Sequence, residues 1–539
     1  MAENFFIRTA KAIAGIFQQG KSANFGSNYR LMGRVVFDGQ KNLGELGPVM
    51  DYALDYDVLR ARGWDSQLQS EVARTVVGRF ATWIISTGLK LQVQPNRKVL
   101  EMLKIKIDGE NFNESTEAWY ELWANSTDCD FAGMNNMAWI QEQVFLNAIN
   151  GGDVLVVLRY VDDTVKVQII DGCHLQSPMG GTDYYARAEE NGNKIRHGIE
   201  IAPNGEHVAY WIKTDGLGFE RIAAKSASNG LRTAFLVYGC RHRLNNNRGI
   251  PLMSAVLETL AKMERYKEAT VGTAEEQAKV AFQVVHQPYS TGENTFSPLS
   301  KAFDAGNETN ELPRDEQGRQ LANTVHATTN KQAYNNPIGT KIETLQHSDG
   351  QLYFKDFYSV LIDLVCAAVG IPPNVAMSKY DSNFSASRAA LKDWEHAMVV
   401  ARAKFSAQFL QRVYEFWLDV QILQNKVQAP GYLPARSLSN SLNRDLLKAY
   451  RVARFTGPRV PHIDPLKEVN AERAKLGELG QNLPLTTLER ATESLNEGDG
   501  DSNVSQFSEE LSMAEELGVP PSTPKTVVAP PATDPSTNN

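Results

Sequence analysis

Apolar residues change their spacing in blocks along this chain, and each block predicts an element. In residues 1–17, Phe6, Ala10, Ile13 and Phe17 recur on one helical face with Arg8 and Lys11 off it, a short basic amphipathic helix. Helical spacing runs through Leu59, Trp64, Leu68, Val72, Val76, Phe80 and Trp83 until Gly88, after which Leu89, Leu91 and Val93 alternate as a strand does. Residues 115–150 read as two more helices, rich in tryptophan. Between 153 and 239 the period drops to two. Runs such as 154–158, 165–169 and 207–212 are separated by Asp-Asp, Asn-Gly and Pro-Asn-Gly turn signals, which predicts a β-rich region of meandering hairpins.

After Arg248-Gly-Ile-Pro251, Met253, Val256, Leu260 and Met263 restore the helical step, and the pattern predicts one helix over 251–281. At 1.5 Å per residue such a helix is about 46 Å long. Residues 282–347 hold Pro288, Pro298, Pro313 and Pro337 among many Asn, Thr and Gly, a loop-rich insertion with short strands at most. Helical spacing returns over 351–369 and stops at Gly370-Ile-Pro-Pro373. It resumes from about 385 to 424 through Leu391, Trp394, Met398, Phe405, Phe409 and Phe416.

Length and composition narrow the class. At 539 residues the chain exceeds one compact core, and 42% hydrophobic with 22% charged residues describes an ordinary globular protein. No apolar run reaches the ~18 residues that span a bilayer. Residues 1–17 lack a secretory signal's apolar stretch, and four scattered cysteines fit a reducing cytoplasm. The net charge of −8 is concentrated at one end. Residues 497–539 carry eight acids against Lys525, so the body is near neutral, and this segment reads as a disordered acidic tail. A near-neutral body excludes tight, counterion-driven grip on nucleic acid.

Candidate chemistry is sparse. Residues 15–22, Gly-Ile-Phe-Gln-Gln-Gly-Lys-Ser, match the P-loop pattern, whose backbone amides wrap phosphates. A working P-loop needs a buried strand before the first glycine and a helix from the lysine, and the flanking pattern supplies neither. Cys173-His174 and Cys240-Arg-His242 offer zinc-type ligands at unsuitable spacing, and the two cysteines read instead as strand-end core residues. Asp162-Asp163 reads as a hairpin turn rather than a metal-binding pair. No catalytic, cofactor or metal site is assigned.

Several stretches, taken in order, resemble the lambda-type family of tailed-phage portal proteins. They are Arg60-Ala-Arg-Gly-Trp-Asp65 through Val77-Gly-Arg-Phe80 to Thr87-Gly-Leu-Lys-Leu-Gln92, then Trp119 to Trp123 with Asp130-Phe-Ala-Gly133, then Asn150-Gly-Gly-Asp-Val-Leu-Val156. Arg196-His-Gly-Ile-Glu200, Asn247-Arg-Gly-Ile-Pro251, Val369-Gly-Ile-Pro-Pro373, residues 380–391 and Ile463-Asp-Pro-Leu-Lys-Glu468 complete the series. Phe384 and Ala386 depart from the family's usual Tyr-Ser-Ser, and residues 287–347 match poorly.

The resemblance implies an α+β, mainly helical portal-type fold. It comprises an N-terminal arm (1–50), a wing of helices then hairpins (51–250), a first stem helix (251–281), a clip (282–347) and a second stem helix (348–370). A tunnel loop (371–387), a long wing helix (388–430), a helical crown (431–496) and the acidic tail (497–539) follow. It implies a homo-oligomeric ring, a dodecamer, at one capsid vertex of the virion, assembled in the host cytoplasm. Double-stranded DNA would pass through it, held weakly and without sequence preference, with Lys379, Asp381, Asn383 and Phe384 of the tunnel loop facing it. Implied partners are the terminase large subunit, a head–tail adaptor and the major capsid or scaffold protein, with no membrane and no cofactor. The alternatives are a P-loop NTPase or nuclease of DNA packaging, resting on residues 15–22, and a membrane-associated scaffold, resting on the amphipathic N-terminus.

Overall fold

The computed structural model describes residues 56–516, apart from 108, 179–186, 189–191, 215, 217, 228–229, 244–245, 285–322, 329–330, 336–353, 380–383, 438–439, 459–464, 478–484 and 496–499. The amphipathic segment 1–17, the P-loop-like residues 15–22 and most of 282–347 lie outside the described residues.

The helical run after Leu54 forms two helices, α1 (Tyr56–Gln69) and α2 (Glu71–Ile84), divided at Ser70, whose hydroxyl accepts from the Ala73 amide and caps the second. Val72, Val76, Phe80 and Ile84 of α2 are buried at helical spacing. Gly88, at φ 99, then turns the chain into β1 (Lys90–Val93). Helices α3 (Arg97–Met102), α4 (Gly109–Asn125) and α5 (Met137–Gly151) follow, and Asn136 caps α5.

The expected hairpin region is two antiparallel sheets. The first pairs β2 (Asp153–Val161) with β3 (Thr164–Asp171) on one side and β9 (Ala234–Tyr238) on the other. Asp162 and Asp163, at φ 54 and 57, make the two-residue turn between β2 and β3, as read from the sequence. The second sheet is a meander of β4 (Arg187–Ala188), β5 (Lys194–Arg196), β6 (Ile199–Ile201), β7 (His207–Lys213) and β8 (Phe219–Ala223). Leu155, Val157 and Leu236 of the first sheet bury against Ile199, Tyr210 and Ile212 of the second, giving one apolar core.

Beyond the sheets come α6 (Leu257–Lys279), β10 (Val280–Val284), β11 (Asn323–Thr328), β12 (Lys331–Asn335), α7 (Phe354–Val369), α8 (Pro373–Met377), α9 (Phe384–Gln408) and α10 (Leu410–Leu423). The chain continues as α11 (Tyr432–Ser437), α12 (Ser441–Tyr450), β13 (Ala453–Thr456), α13 (Pro465–Leu476), α14 (Leu488–Ser494) and α15 (Gly500–Glu516). Strand β13 pairs with β1, joining distant parts of the chain.

Five expectations change. The first long helix begins at Leu257, after a 3-10 turn over Leu252–Ala255, because Ile250 and Cys240 exchange backbone hydrogen bonds and hold the chain extended up to Pro251. It ends at Lys279, where the chain passes into β10, which pairs in parallel with β12. The run from 385 to 424 is two helices, broken at Phe409, whose buried ring packs on Phe405 at 5.5 Å. Residues 371–387 are not loop throughout, since Pro373 starts the short helix α8. Cys173 is exposed in a 3-10 turn and is not a core residue, whereas Cys240, two residues past β9, is half-buried and packs against the Tyr56, Leu59 and Ile250 cluster.

The fifth change concerns the tail, because α15 forms where disorder was expected. Val504, Phe507, Leu511 and Ala514 recur at helical spacing, and Asp499 and Asp501 lie in sequence where a helix N-terminus favours negative charge. Residues 517–539 lie outside the described residues.

The chain divides into two compact units. One takes its residues from Met1–Ser382 and Ala397–Phe455. Besides the two-sheet core, it holds an aromatic cluster in which Trp417 meets Tyr120 at 5.1 Å and Trp123 at 5.9 Å. The other comprises Asn383–His396 and Thr456–Asn539, where Arg388 pairs with Glu468 at 3.2 Å and Trp394 is buried.

Candidate functional site

Three stretches singled out in the sequence meet at the root of α6. Asp153 is the first residue of β2 and is fully buried, a costly place for a carboxylate without counter-charges. Arg248 supplies one in two-pronged form, its Nε donating to Oδ2 at 2.7 Å and Nη2 to Oδ1 at 2.8 Å. Arg60 of α1 donates to Oδ1 at 2.5 Å, and the Gly249 amide donates to Oδ2 at 2.8 Å. Arg248 also donates to the carbonyls of Gly172, Leu175 and His197. Burial alone would raise the Asp153 pKa, but the two guanidiniums outweigh it and hold the carboxyl at about 2.

Glycine makes this close approach possible. At Gly249 an added Cβ would lie 1.8 Å from the Gly152 carbonyl oxygen, and at Gly172 it would lie 2.2 Å from Asp153 Oδ1. At Gly63 it would lie 2.2 Å from the Asn150 carbonyl oxygen. The cluster therefore joins α1, the α5–β2 junction, the turn after β3 and the segment leading into Pro251, which fixes where α6 starts. Sequence reading noted these stretches but not the ion cluster. The available signal was a lone carboxylate, after two glycines, opening the wholly apolar run 154–158.

Helices α6 and α7 pack as a pair, with Tyr266 stacked on Phe354 at 5.3 Å. Gly370, at φ 86, ends α7. Its amide and that of Ile371 both donate to the Cys366 carbonyl, and Ile371 is buried. Helix α8 then packs on α2, burying Val375 and Ala376. Ser378 closes α8 at φ 53, and its hydroxyl accepts from Arg79 of α2 at 2.5 Å. Of the four residues expected to face DNA, Lys379 is exposed directly after this anchored turn, its amide donating to the Asn374 carbonyl. Asp381 and Asn383 lie outside the described residues. Phe384 begins α9, and its side chain is also outside them.

Among the described residues no group of His, Cys, Asp and Glu is placed to hold a metal ion, and no helix is long and apolar enough to cross a membrane.

Residues 41–400 match the family described as phage portal protein, lambda family. A probable portal protein of Halomonas phage phiHAP-1 is 24% identical over 254 residues, 45% of this chain and 45% of that one, so the match spans less than half of that relative. Among solved structures, the neck of an empty gene transfer agent particle is 12% identical, with a TM-score of 0.38, over 74% of this chain and 94% of the other. The virion of a native gene transfer agent particle is 13% identical, with a TM-score of 0.35, over the same shares.

Proposed function

The chain belongs to the lambda family of phage portal proteins, and from that premise we propose that copies of it close into a ring, a dodecamer, at one vertex of the capsid. Double-stranded DNA passes inward through this ring during packaging, driven by a separate terminase motor, and later leaves into the tail. The terminase large subunit and a head–tail adaptor dock on the ring, and the major capsid or scaffold protein surrounds it. The ring assembles in the host cytoplasm and remains in the virion. The chain itself contributes shape and electrostatics, with no catalytic step assigned to it.

The observation that carries this reading is the α6–α7 pair, rooted by the Asp153 cluster and leaving an apolar stripe of α7 exposed. In this reading α6 and α7 are the stem and residues 282–347 the clip. Residues 371–387 are the tunnel segment, 388–430 the long wing helix and 431–496 the crown. Anchoring of α8 on α2 then presents Lys379 from every copy to the DNA. One lysine per copy attracts phosphate loosely, and Asp381 offsets it, which allows sliding instead of tight binding.

The test replaces Lys379 and Asp381 together by alanine. Rings of unchanged mass with less packaged or retained genome are expected. Full-length packaging and retention by intact variant rings would remove these two side chains from the proposed role.

A further inference from the structure

The α6–α7 pair has two uncovered faces of opposite character. On α7, Phe357, Val360 and Leu364 follow at steps of three and four and are 51%, 54% and 57% exposed. Ala367 and Ala368 extend this stripe by a turn and are exposed too. Single exposed apolar residues are ordinary, but a row of three large ones at helical spacing is an apolar face. On α6, Leu260 and Met263 are buried, and the opposite side carries Ala261, Arg265, Glu268, Ala269 and Gly272. This second face is shallow, and a Cβ added at Gly272 would meet nothing within 4 Å.

Charge complements shape. Asp356 and Asp363 flank the apolar stripe of α7 and are exposed, and Arg265 stands exposed on the shallow face of α6. No described residue forms an ion pair with any of the three.

The bulky face belongs to α7 and the shallow one to α6, and the two helices already pack through Tyr266, Phe354 and Phe357, so both faces stay exposed and neither covers the other within a chain. Between copies they can cover each other, and because the faces differ the contact is head-to-tail, the type that closes rings. We infer that the Phe357, Val360 and Leu364 stripe of one copy packs on the Ala261, Arg265 and Ala269 face of the next, with Asp356 level with Arg265 of the neighbouring copy. The level comes from contacts within the chain. Tyr266 stacks on Phe354 and meets Phe357 edge-on at 5.2 Å, so positions 265 and 356 stand at one height along the pair. Rotation about an axis running along the pair preserves that height. The inference rests on the ring reading above and adds which faces meet and in what register.

Two measurements test it on the full chain. In the first, Asp356→Cys and Arg265→Cys are combined with Cys173→Ser and Cys240→Ala, which leaves only the buried Cys129 and Cys366 of the native thiols, and preformed rings are treated with a short bis-maleimide. A ladder of covalent multimers on a denaturing gel is expected from the chain with both new cysteines, and none beyond dimer from either chain with one of them. In the second, Asp356→Arg and Arg265→Asp are made singly and together. Each single change should raise the concentration needed for assembly by on the order of tenfold, and the double swap should recover most of that loss. Rings that carry both new cysteines yet give no ladder, with a double swap no better than the single changes, would overturn the inference while leaving the ring reading intact. A parent chain that forms no ring would overturn both.

Discussion

Asp153 and Arg248 stand 95 positions apart in sequence and meet as a buried two-pronged ion pair, with Arg60 as a second cation on the same carboxylate. The pair fixes the start of β2 against the segment that leads into α6. Removing the carboxylate leaves the buried Arg248 guanidinium without the carboxylate it pairs with, and Arg60 with only Asp171, at 4.0 Å. Asp153→Asn, which keeps the shape, should cost about 3–5 kcal/mol in chemical denaturation. A loss below ~1 kcal/mol would mean that the cluster is not what fixes the root of α6.

The same carboxylate sets an acid limit. Its folded pKa of about 2 lies below the ordinary 3.8, so the unfolded chain binds the proton first as pH falls. The resulting stability, about 2 kcal/mol, is complete above pH ~4 and is lost between pH ~4 and ~2. His207 acts in a higher window. Burial, then Arg232, Arg241 and Arg412, push its pKa from 6.5 to about 4. Protonation therefore favours the unfolded chain, and stability falls as pH drops from 6.5 toward 4. His207→Gln should flatten the stability profile in that window and leave the more acidic window unchanged, as read from urea midpoints across pH.

Two glycines separate close approach from mere helix propensity. Gly249→Ala drives a Cβ into the Gly152 carbonyl oxygen and should prevent folding or cost several kcal/mol. In Gly78→Ala, inside α2, the new Cβ meets nothing within 4 Å, and the change should stabilise by about 0.5–1 kcal/mol. Thermal unfolding of both variants checks the contrast.

Deleting residues 497–539 removes α15, whose Val504, Phe507 and Met513 are exposed. Ring assembly should survive with the mass of each copy reduced accordingly. Loss of the ring on native mass would make α15 part of the assembly contact.

How much of this was legible in sequence depended on range. Period-three-to-four and period-two patterns separated helices from hairpins, and Asp162-Asp163 named its turn, because those signals are local. The break at Phe409 was not legible, since Phe405, Phe409 and Phe416 keep a helical step and are all buried, and only the backbone at Phe409, at φ −115 and ψ −71, marks where the helix restarts. The pairing of β1 with β13 was equally hidden, as neither short strand carries a mark of its distant partner. At the site, Gly370-Ile-Pro-Pro373 marked the turn after α7, but its anchoring through Arg79 and Ser378 spans 299 positions. For α15, the apolar stripe of Val504, Phe507, Leu511 and Ala514 is a local signal for the helix, while the acids and prolines around it point to disorder.

Whether copies of this chain close into a ring with a central opening is decided most directly by native mass combined with electron microscopy of the purified full chain. A single dominant species of about twelve copies is expected, with end-on views that show a ring around a hole. A chain that stays monomeric by native mass and sedimentation across micromolar concentrations, with no ring in any view, would contradict ring closure.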